Sequence, residues 1–316
     1  MPLGDRDEWM FTGRVSAQAQ PWLADHSVFG AVVMPGAALV ELAAATGEQL
    51  GAPVVDELVL QAPLVLAADE ARLLQVRVGE VDPDGRREVA IYSRQPHATV
   101  ADASRVSCHA RGWLGTAPAA ALPFPPSWPP AGATPVPVDA LYGRLAEAGC
   151  EYGPIFQGVR AAWRDGADVY TELTVPDEAG AGFGVHPALL DVALHGALLD
   201  KQAGSATDLP FSWSGVLLGS GSGRARARIS RVDDTTVRID VVDDAGALVA
   251  TVAKRSSSGR LAPARRCWPS GWGSGPARPG TGSRSPPPPT GSPGSRPPTS
   301  KAGSRPRSPN SAAPRC

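Results

Sequence analysis

The sequence predicts an α+β fold of two similarly built halves, each a long buried helix wrapped by antiparallel strands. Three observations carry this. Residues 36–50 and 186–199 are apolar nearly all round, as a helix enclosed by a sheet must be. Each is followed by several strand-like runs punctuated by turn residues. Between them, residues 116–138 are rich in Pro and Ala and read as a linker that forms neither a ladder nor a continuous helix, because proline lacks the N–H that both require. The halves are therefore placed at residues 1–115 and 139–253.

Taken in order, residues 9–20 read as a strand leading into Pro21-Trp-Leu-Ala-Asp-His26. His26-Ser-Val-Phe-Gly30-Ala-Val-Val-Met34-Pro35-Gly36 then places a histidine in a loop, an extended apolar run, and a helix opening at Pro-Gly with free N–H groups at its start. Glu41 is the lone charge inside that helix. Strands are expected at 54–66, 72–81, 87–94 and 106–114, with Asp82-Pro-Asp-Gly85 as a turn. One central helix followed by an antiparallel sheet is the arrangement called a hotdog. The second half repeats the plan: a short helix at 139–148, a strand pair in 159–175, the helix at 186–199, and strands at 224–232, 236–242 and 247–252, two of them joined by Asp243-Asp-Ala-Gly246.

Composition excludes several function classes. The chain is 42% hydrophobic over 316 residues, enough for a sizeable core. Twelve of its 30 Lys and Arg lie in residues 254–316 and none of its 31 Asp and Glu do, so the body is acidic, which argues against nucleic acid as partner. Cys108, Cys150, Cys267 and Cys316 are scattered without a Cys-x2-Cys pair or a signal peptide, which points to a reducing, cytosolic setting without disulfides or structural zinc. No apolar run approaches the roughly 20 residues that span a bilayer. Residues 254–316 hold 14 prolines and cannot build a core. They read either as a disordered basic tail or as out-of-frame translation of GC-rich DNA. The codons favour the latter, since Cys267-Trp268 shifted back one base becomes Leu, Val or Met followed by Leu; the nucleotide sequence read in three frames decides it.

The residues that carry chemistry are few. Asp191 and His195 lie four apart on the second apolar helix, on one face and within contact distance. A charged pair there needs a reason, because an ionised group buried without a partner is costly. A structural pair is one reading. A metal site from His186, Asp191 and His195 is another, weakened because His186 precedes Pro187 and falls outside the helix.

Four ordered motifs decide between readings: His26/Gly30/Pro35 with the spacing His-x3-Gly-x4-Pro, Tyr152-Gly-Pro-Ile-Phe156, Asp191/His195 within His186-Pro-Ala-Leu-Leu-Asp191, and Leu209-Pro-Phe-Ser-Trp213. In this order the sequence resembles the dehydratase domain of modular type I polyketide synthases. The resemblance spans about residues 9–252 and implies a double hotdog, one half giving the histidine and the other the aspartate. It implies dehydration of a 3-hydroxyacyl thioester to the 2,3-enoyl thioester, with His26 as neutral base and Asp191 as protonated acid, its proton affinity raised by an apolar pocket. His195 would hold Asp191 by a hydrogen bond, and Gly36 N–H would donate to the enolate oxygen. Tyr152 either bonds substrate or satisfies a local carbonyl; Gly30 permits close backbone approach in the histidine loop; Pro35 presets the helix start. Phe156, Phe211 and Trp213 read as core or tunnel wall, Met34 as packing, and His97 and His109 are assigned nothing.

The resemblance also implies no cofactor of its own, since the substrate arrives on the phosphopantetheine arm of an acyl carrier protein, and as partners that carrier, other synthase domains and a second copy of the chain. Two departures bear on activity: the family usually has a segment before the point where this chain starts, and the likeness ends near Val252, short of a final strand. The competing readings are a double-bond isomerase or cyclase on the same fold, and a non-catalytic remnant or carrier-interaction module.

Overall fold

Apolar residues of both halves build one main hydrophobic core, beside a small cluster of Val28, Ala31 and Val33. The computed structural model describes residues 1, 6–96, 106–118, 120–176, 182–199, 212–221 and 223–256. These lie in one unit of the chain, Met1–Pro269. His97, Leu209, Phe211, Cys267, Cys316 and residues 257–316, with both readings of the tail, fall outside the described residues.

The first half runs β1 (Trp9–Val15), β2 (His26–Val28), β3 (Ala31–Val33), α1 (Gly36–Gln49), β4 (Val54–Leu60), β5 (Val65–Leu66), β6 (Arg72–Val81), β7 (Arg87–Arg94) and β8 (Ser107–Gly115). A 3-10 turn at Pro21–Asp25 precedes β2. The second runs β9 (Thr134–Val136), α2 (Leu141–Glu147), β10 (Cys150–Tyr152), a 3-10 turn at Pro154–Phe156, β11 (Val159–Asp165), β12 (Asp168–Thr174), α3 (Pro187–His195), β13 (Ser212–Leu218), β14 (Arg224–Arg231), β15 (Thr236–Val242) and β16 (Leu248–Ser256). The two halves use the same turn device: the Asp82 carboxylate accepts from Asp84 and Arg86 N–H, and that of Asp243 from Ala245 and Ala247 N–H.

Twelve strands make one antiparallel sheet in the order β1-β6-β7-β8-β4-β13-β16-β15-β14-β12-β11-β9. The halves join inside it, where β4 pairs with β13 in the register Leu58 to Trp213 and Val55 to Val216. All four of these side chains are fully buried. α1 and α3 pack against this sheet and against each other. That is the double hotdog. A second, small sheet in the order β10-β2-β3-β5 crosses between the halves, because β10 of the second pairs with β2 of the first.

The structure corrects three boundaries. Residues 54–66 are two strands in two sheets: the chain breaks after β4 and re-enters beside β3. The break is pinned where the His109 ring donates from Nδ1 to Ala62 O at 2.9 Å and accepts Ser93 Oγ–H at 2.7 Å. The linker does contribute a ladder. Thr134–Val136 pairs with β11, and Pro135 is tolerated because the strand is the sheet's outer edge. Trp128, also in the linker, donates to Glu172 at 2.8 Å and packs edge-on against Trp163 and Tyr170. Finally, β1 ends at Val15, because the chain turns at Ser16, whose Oγ accepts from Ala19 N–H.

Glu41 lies across the contact between halves. Burial pushes its carboxyl up to about 7, and the Gly184 N–H, on the approach to α3, pulls the other way. A carboxyl whose proton is held more tightly when folded stabilises fully below the ordinary range near 4.5, and that contribution is lost as pH rises through 7. Glu41→Gln keeps an acceptor for Gly184 without the charge. The variant is therefore expected to gain about 1–2 kcal/mol over wild type at pH 8 and almost nothing at pH 5, by urea unfolding. An equal effect at both pH values would contradict this.

Candidate active site

His26 owes its position to hydrogen bonds made on both sides of β2. On one side β3 returns through a two-residue turn, Phe29 (φ +51°) and Gly30 (φ +77°), the left-handed pair that a tight hairpin of this twist requires. Gly30 is needed for that conformation and not for close approach, since space around its α-carbon is open. On the other side Tyr152 of β10 sits directly opposite His26. The imidazole is buried, and its Nδ1 donates to Val33 O at 2.7 Å. A carbonyl only accepts, so the proton is on Nδ1 and Nε2 carries the lone pair.

Val33 leads straight into Met34 and the helix start. Met34 N–H donates to Leu64 O, which anchors the segment to the β5 side, and Pro35, at φ −58°, is the residue before the first helical one. Gly36 therefore opens α1 with N–H groups that have no acceptor within the helix. The same short segment orients the histidine and begins the helix, so base and N–H donors are fixed relative to one another.

Asp191 and His195 come from α3 and are both almost wholly buried. His186 caps that helix, its Nδ1 accepting from Ala188 N–H at 3.1 Å, which turns the ring to helix capping. No group of three His, Cys, Asp or Glu side chains converges as a metal site among the described residues. Asp191 Oδ2 lies 4.0 Å from His26 Nε2 and 3.4 Å from His195 Nε2. His195 Nε2 lies against the carboxylate at 3.4 Å from the same helix, the contact through which His195 bears on Asp191.

Aromatic rings close the site. His26 packs against Tyr152 at 5.4 Å and Phe156 at 5.2 Å between ring centres, and Tyr152 lies 4.5 Å from His195. Burial holds the Tyr152 phenol well above its ordinary range, so it is a neutral O–H donor at neutral pH. The Tyr142 hydroxyl accepts Val159 N–H at 3.0 Å while its ring stands edge-on to His195. Trp213, in the core where the sheet halves join, is wall rather than site, and Met34 is buried packing.

Electrostatics overturn one expectation. Burial lowers the affinity of His26 for a proton by more than the Asp191 charge restores, so its imidazole is neutral. Burial also works to raise Asp191, but the contact with His195 first, and the Arg255 charge with it, hold the carboxyl below its usual range. Asp191 is thus a carboxylate in the ligand-free site. His195 stands four residues from Asp191 on the same helix, but the Arg255 guanidinium, brought in by folding, is invisible in the local sequence around Asp191.

Sequence reasoning missed Asp25 and Tyr142. Asp25 Oδ2 accepts from Ile155 N–H at 2.9 Å and its main-chain oxygen from Gly153 N–H at 2.7 Å, lacing the first half to the second beside His26. The available signal was its place next to the histidine; its partner lies 130 residues away.

Comparison with known proteins identifies the family and the fold. Residues 1–94 match the family model "Polyketide synthase dehydratase domain" and residues 120–257 match "Polyketide synthase dehydratase N-terminal domain". Polyketide synthase GfsB of Streptomyces halstedii is 45% identical over 267 residues, covering 79% of this chain and 5% of that protein. Mycoketide-CoA synthase of Mycobacterium tuberculosis is 44% identical over 252 residues, 77% of this chain and 6% of the synthase. The chain thus spans a small fraction of the curated relatives it matches. Solved structures align over nearly their whole length: the erythromycin dehydratase has a TM-score of 0.73 at 41% identity, covering 80% of this chain and 92% of that one. The terminal-module dehydratase domain of the rifamycin synthase has 0.73 at 37%, again 80% and 92%. Two family models in tandem and solved dehydratase domains of this identity leave one assignment, that the chain belongs to the polyketide synthase dehydratase domain family.

Proposed function

We propose that this chain removes water from a 3-hydroxyacyl thioester, presented on the phosphopantetheine arm of an acyl carrier protein, and releases the 2,3-enoyl thioester. The observation that carries the reading is the approach of His26 Nε2 and Asp191 Oδ2 to 4.0 Å, one from each half, in a buried site walled by aromatic rings. Loss of water breaks a C–H bond beside the thioester carbonyl and a C–O bond one carbon further. A base and an acid facing the substrate together do both.

In this reading the Nε2 lone pair of His26 takes the proton from the carbon next to the carbonyl. Those electrons form the double bond, and Asp191 gives its proton to the departing hydroxyl, which leaves as water. Gly36 N–H donates to the carbonyl oxygen as charge gathers there, a contribution of about 3 kcal/mol to the barrier. The reaction ends with Asp191 ionised, the state its surroundings favour, and the proton on His26 returns to Asp191 for the next cycle. Bound substrate excludes water, and the burial that works to raise the Asp191 carboxyl then favours its protonated form. His195 keeps the carboxyl in place, Tyr152 bonds the substrate or guards the entrance, and Gly30 and Pro35 hold the backbone that aims His26 and Gly36. No cofactor of the chain's own takes part. The partners are the carrier, the other domains of a cytosolic synthase and a second copy of the chain.

The pH dependence follows. His26 must be neutral, and burial keeps its pKa below the ordinary 6.5, so kcat is expected to hold from pH 7 down to 6.5 and to fall only below that. On the alkaline side kcat falls as Asp191 in the complex loses its proton. A kcat already halved at pH 7 on acidification would contradict a buried neutral base.

A further inference from the structure

We propose that Asp25 is the positioning residue that sets the distance between the two halves of the active site, an inference that rests on the dehydratase reading above. Asp25 ends the 3-10 turn at Pro21–Asp25, immediately before His26. Its main-chain oxygen extends the β2–β10 pairing by one residue through Gly153 N–H at 2.7 Å. Its carboxylate then accepts Ile155 N–H at 2.9 Å. Ile155 lies in the 3-10 turn Pro154–Phe156, and Pro154 has no N–H, so Ile155 offers the first donor of that turn. Asp25 is in effect the N-terminal cap of a turn that belongs to the other half.

What that turn carries explains the consequence. Tyr152 precedes it and Phe156 ends it, and these are the two rings packed on His26. The turn also packs against α3, which bears Asp191, while Tyr152 touches His195. Releasing the turn loosens the walls around His26 and the seat of α3 together. Gly153 is part of the same device. Its φ of −80° is open to any residue, but a methyl group there would lie 2.4 Å from Asp25 Cγ. Glycine is required at 153 because Asp25 is in contact with it.

The test is steady-state turnover of a 3-hydroxyacyl-pantetheine thioester by the full chain, with variants checked for folding by circular dichroism. Asp25→Ala is expected to lower kcat about 10–100-fold with KM changed less than about threefold, as misplacement of reacting groups by an ångström does. Asp25→Asn, which retains an oxygen acceptor for Ile155 N–H, restores most of the loss; a role of the charge alone would leave it as slow as Asp25→Ala. Gly153→Ala slows the wild-type chain but adds little to Asp25→Gly, which removes both the Asp25 Cγ at 2.4 Å and the Cβ at 2.8 Å that its methyl group would meet. Wild-type kcat in Asp25→Ala, failure of Asp25→Asn to recover, or losses that multiply in the double variant would each overturn the assignment. His26→Ala separates the two ideas: wild-type turnover there sinks the dehydratase reading itself, whereas a dead His26→Ala beside an unslowed Asp25→Ala sinks only the role of Asp25.

Discussion

His26→Ala and Asp191→Asn are each expected to lower kcat by about 10²–10⁴-fold, the range that a positioned acid or base contributes. The losses have different origins. Without His26 the site loses its proton acceptor, because Nε2 of His26 carries the lone pair left free by the Val33 bond. Asparagine at 191 matches aspartate in shape and still fills the space against His195, so the fold is retained while the transferable proton is gone. Substrate binding depends on the walls more than on either group, so KM is expected to change little in both. Mass analysis of the thioester for loss of one water measures it; enoyl product at wild-type rate from either variant would remove that residue from the chemistry.

Trp213→Ala is expected to have the largest effect on stability, about 3–5 kcal/mol. Trp213 is fully buried in β13, beside Leu58 of β4, at the point where one sheet passes from the first half to the second. Removing the ring leaves a cavity at the joint, and the ladder on both sides prevents the backbone from closing over it. A melt followed by circular dichroism should shift down by about 10 °C. Trp213→Phe, which keeps an aromatic ring in the space, should recover more than half. An unchanged melting temperature in Trp213→Ala would mean that the halves are held together elsewhere.

The sequence made the two helices and their partners legible because burial on all sides forces apolar residues on all faces, a pattern that few other elements share. The residues brought together at the site were legible through their motifs, each short and each fixed by a local requirement: a histidine before a left-handed hairpin turn, a Pro-Gly helix start, an Asp and His four apart. What was not legible depends on long-range pairing. One run at 54–66 serves two sheets because His109, itself held by Ser93 of another strand, bonds the run at Ala62. A proline-rich linker supplies an edge strand only because β11 offers it an open ladder. Part of what holds the Asp191 carboxyl below its usual range comes from Arg255, which lies far from it in sequence and on another element, whereas His195 was legible four residues away on the same helix. Asp25 reads as an ordinary loop carboxylate until β10 is laid beside β2.

The central claim is that His26 and Asp191, contributed by separate halves, act on one substrate as a unit. The double variant His26→Ala/Asp191→Asn tests it most directly, compared with each single variant by turnover of the same thioester. Groups that act together lose their effect together, so the double variant is predicted to be no slower than the slower single one within about threefold. Losses that multiply, making the double variant slower by the product of the two, would show that the residues act independently and would contradict the shared site.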